Sequence, residues 1–117
     1  MHIRRGDIFY CDLQSKRNQG SIQHGIRPVV ILQNNKGNKH SPTTIVAPIT
    51  SKNKPYLPTH AYIQRYDILE ASSDFAHSTV LFEQIVTVNR QDLKNKIGAI
   101  NLDNSDIKKA LEISIGL

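Results

Sequence analysis

The sequence predicts a mainly β domain, a small and strongly bent barrel closed by one C-terminal α-helix. Three observations predict it. Short runs of β-branched, aliphatic and aromatic residues recur along most of the 117 residues, separated by turn residues. From Asn104 onward the pattern changes, and Ile107, Ala110, Leu111, Ser114 and Ile115 fall at three- and four-residue steps. The chain has the length of one domain, 1–117, with 38% hydrophobic residues, no Trp and only seven aromatics (four Tyr, three Phe). A core filled by aliphatic side chains suits many short strands packed under one helix.

The elements follow in order. Asp7–Leu13 reads as a strand, and Gln14 to Gly25 as a polar loop without apolar period, long enough to carry function. Pro28–Gln33 is the strongest strand, and its unbroken apolar run implies burial on both faces. Asn34–Asn38 reads as a turn cluster and Thr43–Thr50 as the next strand, where Pro48 suits an edge or a bulge. Ser51 to Pro58, with Lys52, Lys54, Pro55 and Pro58, is a second exposed loop. Short strands follow at His60–Ile63, Ser78–Phe82, Glu83–Val88 and Ile97–Ile100, with a helical turn at Gln91–Leu93. Asp103 or Asn104 can cap the final helix, and Asp106 sits near the positive end of its dipole.

Composition bounds the function. The single Cys11 cannot form an internal disulfide, and in an apolar stretch it reads as a small packed residue. No apolar run spans a bilayer, and Met1–Asp7 lacks the apolar core of a signal peptide, so a cytoplasmic protein with no membrane contact is expected. Fifteen basic against ten acidic residues give a net charge of +5, which favours phosphate-bearing ligands. The five histidines (His2, His24, His40, His60, His77) show no zinc-site spacing, and no acidic cluster suits magnesium. A glycine-rich phosphate loop and a serine nucleophile elbow are also absent. Neither metal nor cofactor is expected.

Polar residues at strand ends remain. Arg27 opens the second strand after the long loop, and Thr50 closes the third before the lysine loop. Antiparallel neighbours place these ends together, where a guanidinium and a hydroxyl make a phosphate clamp. An exposed strand-start Arg and a structural Thr explain the same two residues. Glu83, in an otherwise apolar segment with Gln84, must lie at a rim, at a bulge or in an ion pair.

Taken in register, several segments resemble the MazF/PemK (Kid) family of toxins from type II toxin–antitoxin systems. They are Arg5-Gly6-Asp7-Ile8, Gly25-Ile26-Arg27-Pro28-Val29-Val30, Gln33-Asn34, Ser41-Pro42-Thr43 and Ile45-Val46-Ala47-Pro48-Ile49-Thr50. Leu57-Pro58-Thr59-His60, Leu81-Phe82-Glu83-Gln84-Ile85 and Ala110-Leu111-Glu112-Ile113-Ser114 complete the set, which runs from residue 5 to residue 114. The resemblance implies a Src-homology-3-like barrel of the CcdB/MazF toxin type, a homodimer, and a metal-independent endoribonuclease that cuts single-stranded RNA at short preferred sequences through 2′-hydroxyl attack. It implies Arg27 and Thr50 as the catalytic pair, with Glu83 as the candidate base. Ser21 and Gln23 of the first loop, Lys52 and Lys54 of the second, and Gln84 would then contact RNA. A cognate acidic antitoxin is the implied inhibitor. The plasmid Kid/PemK branch uses an Arg and a His where this chain has Leu81 and Ser21, so the chromosomal MazF pattern fits better. His24 reads as a solvent-exposed loop residue. A non-catalytic toxin of the same fold, such as a gyrase poison, is the alternative, but it has no use for the Arg27–Thr50 pair.

Overall fold

The computed structural model describes residues 1–14, 22–23, 25–52, 54–73, 75 and 78–117. Eight strands form one antiparallel sheet: β1 (Asp7–Asp12), β2 (Ile26–Ile31), β3 (Thr43–Thr50), β4 (His60–Tyr62), β5 (Ile68–Ala71), β6 (Thr79–Leu81), β7 (Val86–Asn89) and β8 (Leu93–Ile100). Two helices accompany them, α1 (Asn35–His40) and α2 (Ser105–Ile115). The sheet order is β4-β6-β3-β2-β1-β8-β5, with β7 also paired to β3. The sheet is strongly bent, since the molecule measures 34 × 33 × 32 Å rather than spreading as a slab.

The bend gives β2 two cores to fill. Val30 joins Ile8, Ile49, Val80, Phe82, Ile97 and the α2 residues Ile107 and Ala110 on one face. Val29 and Ile31 join Phe9, Cys11, Val46 and Leu93 on the other. The apolar run of this strand is therefore buried on both faces, as expected. Two glycines let the backbone close up: at Gly6 (φ +95°) an added Cβ would lie 2.5 Å from the Ile100 carbonyl oxygen, and at Gly98 it would lie 2.5 Å from the Phe75 ring.

Pro48 sits in a central strand, not at an edge, yet the sheet accommodates it. The β3–β7 pairing ends at Val46 and the β3–β6 pairing begins at Ile49, so Pro48 falls at the break between two short strands. The Phe82–Gln84 segment, expected to be strand, is a 3₁₀ turn that makes this break. The Asn34–Asn38 cluster contains the start of α1, because the Asn34 side chain accepts from the Gly37 N–H at 2.8 Å and caps a helix that has no apolar period of its own. Strand β5 was not expected, and β8 starts four residues earlier than the predicted Ile97.

In α2, Ile107 and Ala110 are buried while Ile115 is 54% exposed, so the apolar stripe covers the core only in its first half. Asn104 is the N-cap, but its amide donates to Asp67 Oδ1 at 2.6 Å and ties the helix to the turn before β5. Gly116 ends the helix in the left-handed conformation. Lys96 on β8 lies 3.3 Å from Asp7 and 3.4 Å from Glu70. Burial lowers the Lys96 ammonium, but these two carboxylates outweigh it and raise it above its ordinary value.

Two predictions arise here. Asn38 is 2% exposed, donates to the Gln33 carbonyl, and accepts from Gln33 Nε2 and from the Thr44 hydroxyl at 2.8 Å. Asn38→Ala leaves these groups unpaired and destabilises the fold by about 1–3 kcal/mol, read from urea unfolding. Cys11 is fully buried, and desolvation, reinforced by Asp92 and Asp12, pushes its thiol from 9.0 up to about 11. The folded state thus holds this proton more tightly than the unfolded state. Its stabilising contribution is present below pH 9 and is lost as the pH rises towards 11. A thiol reagent at pH 8 leaves native protein unlabelled and labels it in urea.

Candidate active site

The β2–β3 register pairs Val29 with Pro48, Val30 with Ala47 and Ile31 with Val46. Continued by two residues, it sets Arg27 opposite Thr50. Both residues line one cavity of ≈190 Å³, together with Tyr10, Lys52, Phe75 and Ser78. Arg27 is half-buried and Thr50 is buried. The Thr50 Oγ1 accepts from the Lys52 N–H at 3.2 Å, which turns the chain sharply after β3 and leaves the hydroxyl proton to donate elsewhere. The expected meeting of a guanidinium and a hydroxyl at one rim of the sheet is thus a feature of the strand register.

A second groove of ≈580 Å³ shares Thr50, Ser51, Lys52 and Ser78 with this cavity and extends past Lys54 and His60 to the α2 residues Lys109 and Ile113. The two predicted lysines therefore lie in continuity with the Arg27–Thr50 pair, and three cations border Thr50.

Gln23 and Gln84 lie apart from that groove. The Gln23 N–H donates to Gln84 Oε1 at 2.8 Å, and both line a separate depression of ≈660 Å³ bordered by Asp12, Pro48 and Thr87. This bond fastens the end of the first loop to the Phe82–Gln84 turn. Ser21 and His24 lie outside the described residues.

Glu83 does not line the Arg27–Thr50 cavity. Its Oε2 lies 2.8 Å from His60 Nε2, and its Oε1 accepts from the Thr59 hydroxyl at 3.2 Å. The other ring nitrogen of His60, Nδ1, is 3.1 Å from the Pro55 carbonyl oxygen. Both ring nitrogens thus face acceptor oxygens, an arrangement that a protonated imidazole satisfies with two N–H groups. The ion-pair placement read from sequence for Glu83 is present. His60, in sequence only one histidine of five, fixes the carboxylate and borders the groove. Its only sequence signal was its place in Leu57-Pro58-Thr59-His60. Tyr10, Phe75 and Ser78 carried no signal at all, because only the bend of the sheet brings them to the cavity. Among the described residues there is no group of three or more His, Cys, Asp or Glu able to hold a metal ion, and no helix is long and apolar enough to cross a membrane.

Residues 4–115 match the family model described as PemK-like, MazF-like toxin of type II toxin–antitoxin system. Among solved structures, the chain is similar to an endoribonuclease from a Mycobacterial species in complex with its cognate antitoxin, at 23% identity and a TM-score of 0.74, covering 98% of this chain and 96% of that one. It is also similar to MazF from Deinococcus radiodurans (17% identity, TM-score 0.75, 100% and 99% covered). A third likeness is to the Mycobacterium tuberculosis toxin MazF-mt6 (22% identity, TM-score 0.70, 95% and 97% covered). At these identities the structural likeness is one of fold.

Proposed function

The chain belongs to the PemK-like, MazF-like toxins of type II toxin–antitoxin systems, and from that premise we propose that it is a metal-independent endoribonuclease that cuts single-stranded messenger RNA at short preferred sequences. The observation that carries this reading is the pairing of Arg27 with Thr50 across β2 and β3 in one cavity. Similar proteins of the same fold are named endoribonucleases, which supports it.

RNA carries its own nucleophile. The 2′-oxygen attacks the adjacent phosphorus, the bond from phosphorus to the 5′-oxygen breaks, and the departing oxygen takes a proton from water. The products are a 2′,3′-cyclic phosphate and a 5′-hydroxyl. Negative charge grows on the non-bridging oxygens, where the Arg27 guanidinium and the Thr50 hydroxyl donate; preorganised donors of this kind each supply ~2.7–4 kcal/mol. A guanidinium keeps its proton across the physiological range, so it is a poor base. Glu83, fixed by His60 and Thr59, accepts the 2′-hydroxyl proton. Lys52 and Lys54 hold the flanking phosphates, and Ser21, Gln23 and Gln84 contact RNA beyond the cut.

Glu83→Gln tests the base. It removes the acid limb of the pH–rate profile and lowers the rate; an unchanged profile excludes Glu83 from that role.

Two partners belong to the same reading. A two-fold homodimer covers apolar residues that one subunit leaves exposed, Ile45, Val86 and Ile113 among them. A cognate acidic antitoxin segment, drawn by the net charge of +5, folds onto the groove and competes with RNA phosphates. Its association weakens with salt.

A further inference from the structure

The chemistry above explains the polar rim of the Arg27–Thr50 cavity but not its interior. A phosphate needs only donors and cations. This cavity instead runs inward onto Ile8, Ile49 and Ile97, which are 1%, 2% and 3% exposed, and its walls carry the rings of Tyr10 and Phe75. Gly98 contributes to this arrangement, since a Cβ there would collide with the Phe75 ring and push it off β8. The buried Ser78 and the rim residue Ser51 add hydroxyls beside the apolar surface.

An apolar, aromatic-walled recess with a few polar groups is the chemistry of a site for a flat heteroaromatic ring. Single-stranded RNA offers such rings, splayed out and free to stack on aromatic side chains. A base attached to the ribose beside a phosphate held by Arg27 and Thr50 lies next to the mouth of this recess.

We propose that the cavity seats one unstacked nucleobase flanking the scissile phosphate, with the Tyr10 and Phe75 rings as its walls, and that it is a base-selecting subsite. This rests on the ribonuclease reading. A recess this small admits one base, so it contributes preference at one position of the cut sequence.

The test is a cycle of substrate and enzyme changes. Short RNA substrates carry an abasic nucleotide at one or the other position flanking the cut, and kcat and KM are measured for the wild type, Phe75→Leu and Phe75→Tyr. The expected wild-type result is a loss of about tenfold in kcat/KM for one of the two abasic substrates. Phe75→Leu loses a similar factor on intact RNA and nothing more on that abasic RNA, while Phe75→Tyr, which keeps the ring, behaves as wild type. If Phe75→Leu fails to fold, Tyr10→Leu on β1 takes its place with the same expectation. Equal sensitivity of leucine variant and wild type to the abasic change, or indifference of the wild type to both abasic positions, overturns the base subsite and leaves the ribonuclease reading standing. A wild type that cuts no RNA overturns both.

Discussion

Arg27→Ala lowers the rate of RNA cleavage by about 100-fold or more and leaves the fold intact. The guanidinium sits half-buried at the rim of the cavity, opposite Thr50, where water competes less for the phosphate than at an open surface. Its charge matters most when the phosphate carries extra negative charge, so the loss falls on kcat more than on KM. The folded state has little stake in it, because the core on both faces of β2 is filled by Val29, Val30 and Ile31. Thr50→Ala gives a loss of the same order, while Thr50→Ser, which keeps the hydroxyl, restores most of the activity. Circular dichroism and thermal melts of each variant separate lost chemistry from lost structure. Wild-type rates in both alanine variants would show that the site lies elsewhere.

Phe82→Ala destabilises the protein by ~3–5 kcal/mol, the range for truncating a fully buried Phe. Phe82 is 1% exposed, and its ring is packed in the core cluster that also holds Ile107 and Ala110 of α2. Its N–H donates to the Thr59 carbonyl, so the same residue also holds β6 to the segment before β4. The melting temperature falls by on the order of 10–20 °C in a domain of this size. Because Phe82 opens the turn that carries Glu83 and Gln84, activity at low temperature also falls. A change in melting temperature of only a degree or two would mean that the turn is not anchored by this ring.

Residues whose role is set by local pattern were legible in the sequence. The apolar run of β2, the strand Thr43–Thr50 and the amphipathic start of α2 follow from periodicity alone. Arg27 and Thr50 were legible because strand ends joined by antiparallel pairing leave few other partners for them. Features set by tertiary contact were not. Strand β5 is only four residues, Ile-Leu-Glu-Ala, three of them exposed, so no alternation marks it. Helix α1 has a cap but no apolar face. Pro48 argued for an edge, since the break between β6 and β7 that accommodates it lies on the partner strands rather than in its own neighbours. His60 and Phe75 acquire their meaning from residues 23 positions away in each case: Glu83 for His60, and Gly98 for Phe75. The family resemblance supplied the order of the motifs, whereas the cavity floor came only from the bend of the sheet.

The most direct test of the central claim is incubation of the purified protein with end-labelled single-stranded RNA in excess EDTA, followed by analysis of both new ends. Site-preferring cleavage that leaves a 2′,3′-cyclic phosphate (or its 3′-phosphate hydrolysis product) and a 5′-hydroxyl is the predicted result, abolished in the Arg27→Ala protein. Products with a 5′-phosphate, or cleavage that appears only when magnesium is restored, would contradict a mechanism built on the RNA's own hydroxyl, Arg27 and Thr50.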